Sequence, residues 1–240
     1  MADLVLENLI KTYNDKTVVN KVNLIISQGK VTGLLGPNGA GKTTTFYMAV
    51  GMIRPDKGSV YLDQENITAN PMYIRARKGI GYLPQEASIF KKLTVEQNIT
   101  AILEVLPKNG IDIKKKATGL MKELGIFKLA HQKAASLSGG ERRRLEISRV
   151  LATNPKFILL DEPFAGIDPL AVIDIQKIIS QLTLRGIGVL ISDHNVRETL
   201  GVCDHAYIMN QGMVIESGAP EVIISSEIAK KIYLGDNFKL

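Results

Sequence analysis

Apolar residues interspersed with polar ones from Leu4 to Tyr13 and again from Thr17 to Ile26 read as β-rich, strand-like stretches. Val31 to Leu35 is apolar without alternation and runs into a glycine-rich turn, which predicts a strand buried on both faces. A helix should follow from Gly41 to about Met52, closed by Arg54-Pro55-Asp56-Lys57-Gly58, with strand resuming from Ser59 to Leu62. From about Thr94 to Leu151 the period becomes helical: Val95, Ile99, Ile102, Leu103 and Leu106, then Leu120, Met121 and Leu124, then Leu145, Ile147, Val150 and Leu151. Phe157 to Leu160 and Gly188 to Ser192 are again short apolar runs of the parallel-sheet type, with a helix predicted between them over Pro169 to Leu184. Ile223, Ile224, Ile228 and Ile232 predict an amphipathic helix near the end. The order reads as an α/β fold in one domain over residues 1–240, its core (1–86 and 157–240) interrupted by a helical subdomain (87–156).

Composition agrees with a folded body. With 240 residues and 45% hydrophobic content, the chain can bury roughly 70 to 75% of its unfolded surface. Charges of both signs and scattered glycine and proline exclude disorder and collagen-like repeats. The longest apolar stretch, Phe46 to Ile53, is broken by Gly51 and falls short of the roughly 18 residues a membrane span needs. Met1-Ala2-Asp3 lacks the basic start of an export signal, so a cytoplasmic location is expected. The lone Cys203, in apolar surroundings, reads as an inert packed thiol. The net charge of +6 is spread thinly, and Lys114 to Lys116 and Arg142 to Arg144 read as solvated helix faces. Aromatic residues do not interleave with these runs, so no nucleic-acid partner is expected.

Gly36-Pro37-Asn38-Gly39-Ala40-Gly41-Lys42-Thr43 fits G-x-x-x-x-G-K-[ST] at every fixed position, between a predicted buried strand and a predicted helix. The glycines let successive N–H groups and the helix N-terminus face phosphates, Lys42 offers a positive charge to the β and γ groups, and Thr43 places a hydroxyl for Mg²⁺. Asp161 and Glu162 end the apolar run Phe157 to Leu160 and point to opposite faces, so they should do different work. Asp161 suits a metal site, and Glu162 suits a base that orients or deprotonates the attacking water. Leu137-Ser138-Gly139-Gly140-Glu141 opens a helix with a capping hydroxyl and bared amides, a second phosphate-seeking end beside a complete phosphate loop. That surplus points to a composite site shared by two subunits.

In this order the motifs resemble those of ATP-binding cassette ATPases, from Leu4 to about Gly218. The resemblance implies a P-loop NTPase with a RecA-like mixed sheet, an antiparallel N-terminal β region and a helical insert. It implies ATP and Mg²⁺ as ligands. It also implies that Tyr13 stacks on adenine, that Thr44 joins the nucleotide contacts, and that Gln85 in Tyr82-Leu83-Pro84-Gln85 meets Mg²⁺ and links core to insert. Asp168 matches the loop that crosses the dimer interface, and His194 the histidine at the γ-phosphate. Two departures stand out: Glu141 where the signature usually carries Gln, and Gly166 before Asp168.

Within the family, the stretches Gly81 to Phe90, Ser192 to Leu200 and Tyr233 to Phe238 resemble the ATPases of bacterial lipopolysaccharide-export transporters. This implies a homodimer on the cytoplasmic face of the inner membrane, docked to two membrane subunits near Gln85, Phe90 and Lys91. Phe90 equally suits packing into its own helical subdomain. Alternatives are an ATPase of branched-chain amino-acid importers, a soluble cassette ATPase acting on nucleic acid, and a nucleotide-binding module without turnover. The intact Glu162 and His194 argue against the last.

Overall fold

The computed structural model describes residues 3–106, 112–235 and 238; the Met1-Ala2 start and the Asp236-Asn237 part of the tail lie outside them. Two sheets are stacked. The first is antiparallel, with order β2-β1-β4-β5, built from β1 (Asp3–Tyr13), β2 (Lys16–Ser27), β4 (Lys57–Leu62) and the short β5 (Glu65–Asn66). The second contains β3 (Val31–Leu35), β6 (Ile80–Leu83), β7 (Phe157–Asp161), β8 (Gly188–Ser192), β9 (His205–Asn210) and β10 (Met213–Gly218). Its order is β10-β9-β3-β8-β7-β6, parallel throughout except for the antiparallel β10 edge. β3, β7 and β8 are buried at every position, which is why their sequences show no alternation.

The helices start and stop where local chemistry dictates. α1 (Lys42–Val50) lies between Gly41 and Gly51, both left-handed. α3 (Val95–Glu104) and α5 (Gly139–Leu151) begin with capping boxes, Thr94 with Gln97 and Ser138 with Glu141. α6 (Pro169–Leu184) has Asp168 as its cap and proline at its first position. The remaining helices are α2 (Met72–Arg77), α4 (Ile113–Glu123), α7 (Val196–Leu200) and α8 (Pro220–Ser225).

Among the described residues, apolar side chains gather in three clusters. One fills the space between the two sheets and α1, around Phe46, Leu24 and Leu159. A second runs without a break from α3, α4 and α5 (Val95, Leu120, Leu145) onto the other face of the large sheet (Ile158, Leu160, Val189). The third joins the C-terminal segment, through Ile223 and Ala229, to Leu35 of β3 and Leu200 of α7. The expected single C-terminal helix is instead broken: Ser226 is extended, and only a short turn (Glu227–Ala229) and a wide π-turn (Lys230–Leu234) follow α8. Ile223 is buried while Ile228 and Ile232 are exposed, so the apolar positions do not form one continuous stripe.

Candidate functional site

Four neighbouring parallel strands, β3, β8, β7 and β6, release the chain at one edge of the large sheet, where open α/β folds bind ligands. The loop after β3 is shaped by glycine. Gly36, Gly39 and Gly41 all have positive φ, and a Cβ on Gly36 would lie 2.1 Å from the Met209 carbonyl oxygen. The loop is pinned from outside by the Gly212 amide, which donates to the Ala40 oxygen at 3.0 Å. α1 has no side-chain cap, so its first N–H groups stay available to an anion. Lys42 Nζ donates to the Gly36 and Pro37 carbonyls at 2.6 and 3.0 Å, and burial lowers its pKa against the pull of Glu162 and Asp161. A cavity of about 620 Å³ opens beside this loop, lined by Gly39, Gly41, Thr43, Thr44, Lys16 and Gln211, among others. Tyr13, 42% exposed, pairs across the β1–β2 turn with Lys16 on its rim, and Lys11 Nζ lies 5.4 Å from its ring centroid.

At the end of β7, Asp161 is buried and Glu162 half-buried. Burial, followed by the nearby Glu162 charge, pushes the Asp161 carboxyl up to about 6. Tyr82 offers it a hydroxyl at 3.4 Å. Glu162 turns away with φ 46°, its amide donating to the Ser192 oxygen of β8 at 2.6 Å. Gln85, just past β6, donates to Glu162 Oε2 at 2.7 Å, and His194 Nδ1, just past β8, lies 3.4 Å from the same oxygen. Residues 77 positions apart thus meet on one carboxylate.

The donor set fits a nucleotide-borne Mg²⁺. Among the described residues no group of three or more His, Cys, Asp and Glu could hold a metal by itself. One exposed hydroxyl, Thr43, and one buried carboxylate, Asp161, are what an ion that keeps waters and phosphate oxygens requires. A cation there would relieve the cost of the buried charge.

Ser138 and the glycines behind it do not line the phosphate-loop cavity among the described residues. Gly139 instead faces a cavity of about 110 Å³ shared with Gln85, Glu162 and Gly166. A Cβ on Gly140 would stand 3.0 Å from the Ala171 Cβ, so the bare helix start lets the first turn of α6 approach closely. The Ser138 hydroxyl donates to Glu141 at 2.8 Å and the Ser138 amide donates to the same oxygen at 2.9 Å, contacts that lower the Glu141 pKa. Asp168 is exposed and occupied in capping α6.

Three residues escaped the sequence reading. Asp193 is fully buried and accepts from the Phe164 amide at 2.9 Å and the Asn195 amide at 2.8 Å, tying the loop after Glu162 to the end of β8. Its aspartate-turn spacing to Asn195 was the available signal. Arg143 and Glu146 were hidden in a basic run. The expectation of a solvated face there is corrected: Arg143 is 6% exposed, because its row of α5 packs against the ends of β6 and β7. Lys116 likewise is not free, donating to Ala152 and Asn154. Cys203 is packed against Gly33 as expected of an inert thiol, and burial raises its pKa to about 12.

Comparison with known proteins places this arrangement. Residues 19–165 match the ABC transporter family. The lipopolysaccharide export system ATP-binding protein LptB of Haemophilus influenzae is 54% identical over 244 residues and covers all of both chains. Its counterpart in Acidithiobacillus ferridurans is 53% identical over 234 residues, covering 98% of this chain and 97% of its own. The ADP conformation of MJ1267, an ATP-binding cassette of an ABC transporter, superposes with a TM-score of 0.90 at 31% identity, covering 98% of this chain and all of that one. The dimeric post-hydrolysis state of the cassette MJ0796, bound to ADP and Pi, reaches 0.79 at 26% identity over 90% of this chain and 98% of its own. A phosphate loop, a strand-end carboxylate pair and a capped glycine-rich helix on this fold, with relatives alike over their full length, show that the chain belongs to the ABC transporter family and is one of its ATPases.

Proposed function

We propose that two copies of this chain close around Mg-ATP and drive a membrane transporter that exports lipopolysaccharide from the inner membrane. The observation that carries the hydrolytic part is the Glu162 carboxylate, held by Gln85 at 2.7 Å and faced by His194 at 3.4 Å beside the phosphate loop. The cargo follows from relatives that are more than half identical over their whole length and are named for lipopolysaccharide export.

The loop amides from Gly36 to Thr44 cradle the phosphates, and Tyr13 stacks on the base. Lys42 Nζ leaves the Gly36 and Pro37 carbonyls for the β and γ oxygens, a charge-assisted exchange. Thr43 and Asp161 would hold Mg²⁺, with Gln85 at its edge, and the bound ion would supply neutralisation of phosphate charge. Ser138, Gly139 and Gly140 of the second copy cover the γ-phosphate, with the Asp168 loop crossing between copies. Glu162 accepts a hydrogen bond from the attacking water and draws its proton, while His194 contacts the γ-phosphate.

Residues 87–156 act as the lobe that carries this motion outward. An apolar groove of about 450 Å³, lined by Met52, Met72, Tyr82, Ile102 and Val150 among others, lies beside Phe90, which is 46% exposed under the Arg149 guanidinium. In this reading a short helix of a membrane subunit docks in this groove, and the chain sits peripherally on the cytoplasmic face. Among the described residues no helix is long and apolar enough to cross a membrane.

The test is Glu162→Gln. Phosphate release should fall roughly 10²- to 10⁴-fold while ATP binding is kept, and turnover equal to the unmodified protein would remove Glu162 from its role. For the cargo, the unmodified chain, but not Glu162→Gln, should restore growth to Escherichia coli depleted of its own lipopolysaccharide-export ATP-binding protein. Growth that stays arrested with both would contradict it.

A further inference from the structure

Among the described residues, Glu146 is the one residue common to the linings of the small cavity at Glu162 and of the apolar groove. It stands in the wall between them, paired with Arg143 one helical turn earlier. The ion pair measures 3.1 Å, with side chains 7% and 3% exposed. The Arg143 fork reaches three groups. Nη1 donates to Glu146 Oε2 and to the Pro84 oxygen, both at 3.1 Å, and Nη2 donates to the Asp161 carbonyl at 3.2 Å. The other Glu146 oxygen accepts from the Ser88 amide at 3.0 Å.

These contacts bracket Gln85, with Pro84 before it and Ser88 after it, and they hold the peptide that precedes Glu162. The pair thus grips both partners of the 2.7 Å Gln85–Glu162 hydrogen bond through their backbones. It is not built for stability alone. Arg143 Nε is buried with no hydrogen-bond partner, and an apolar pair of similar volume commonly serves a folded core as well as a buried ion pair does. What an apolar pair lacks is the directional hold on three backbone groups from two segments, 84–88 and the end of β7.

We infer that Arg143 and Glu146 are positioning residues that lock the groove wall to the hydrolytic carboxylate, so that movement of the 84–88 segment shifts Gln85 against Glu162. The inference rests on the ATPase reading above. When nucleotide closes the site, the Asp161–Glu162 peptide moves, Arg143 carries Pro84 with it, and Glu146 carries Ser88 at the groove. A helix pressed into the groove acts in the reverse direction, since coupling between two sites is reciprocal.

The experiment uses the full chain with both groups made apolar, R143M/E146L. Cooperative melting should stay within about 5 °C of the unmodified protein. The KM for ATP should stay within about twofold while kcat falls roughly tenfold or more, the pattern of a misplaced catalytic group. In the unmodified protein, Mg²⁺ with the non-hydrolysable analogue AMP-PNP should slow amide exchange over residues 84–90, and in the double variant that response should disappear. E146Q keeps the Ser88 hydrogen bond but weakens the hold on Arg143, and should fall between the two. Unchanged kcat in the double variant, or an exchange response that survives it, overturns the proposal. If the double variant does not melt cooperatively, E146Q decides by the same kcat and exchange criteria. Absence of turnover in the unmodified protein would sink the ATPase reading alone, because the exchange response needs nucleotide binding but no hydrolysis and still decides the pair.

Discussion

Glu162 holds its backbone at φ 46°, in the left-handed region that non-glycine residues avoid, at a strain of roughly 1 to 3 kcal/mol. The turn aims its carboxylate at Gln85 and His194 while Asp161, one residue earlier, stays buried under Tyr82. That two acids close an apolar run was legible in the order of residues, but β7 ends at Asp161, so a turn and not the expected strand alternation separates them. The positive φ was not legible, because it follows from the Glu162 amide reaching across to Ser192 of the neighbouring strand. The environment of Asp161 has a consequence for pH. Burial and Glu162 raise its folded pKa to about 6 from an ordinary value of 3.8, so its ionised form is disfavoured in the folded chain. The stability it contributes is complete below pH 3.8 and is lost as pH rises through 6. Without nucleotide or metal, Asp161→Asn should therefore be more stable than the unmodified chain by about 3 kcal/mol at pH 7.5, with roughly half that gain near pH 5. Urea melts at the two pH values in a chelating buffer check it, and a gain that does not shrink with acid would contradict the assignment.

Among the helices, α5 shows how one element serves both folding and function. Its start is written locally: Ser138 caps, Glu141 reaches back, and Gly140 allows Ala171 of α6 to approach. Glu141, where the family signature usually carries Gln, completes the capping box, a role that either residue can fill. Ser138→Ala should remove about 1 kcal/mol of stability, whereas Glu141→Gln, which can keep the amide contact, should change it by less than about 0.5 kcal/mol. Chemical denaturation of the two variants measures this, and equal losses would contradict a cap shared in this way. The inner row of α5 was misread because a run of three arginines looks like a water-facing surface until the ends of β6 and β7 are placed against it. Charge density along a chain does not say which side of a helix faces the sheet.

In the whole molecule, the glycine-opened end of α5 and the phosphate loop line separate cavities, which supports the two-copy site proposed above. Glu162→Gln with Mg-ATP should accordingly elute from a sizing column at twice the monomer mass, returning to one mass when nucleotide is removed. A single mass under both conditions would contradict closure around ATP. The nature of the elements was set along the chain itself. Unbroken apolar runs require strands buried on both faces, helical spacing requires a packed stripe, and a glycine-lysine-threonine loop between them requires an anion, since each of these depends on neighbours a few residues away. What only the tertiary structure decided lies between distant segments: the meeting of Gln85, Glu162 and His194 on one carboxylate, the burial of Arg143 with Glu146, and the groove beside Phe90. These arise because the strand order β3-β8-β7-β6 brings together ends separated by dozens of residues, and no local pattern encodes which strand lies beside which.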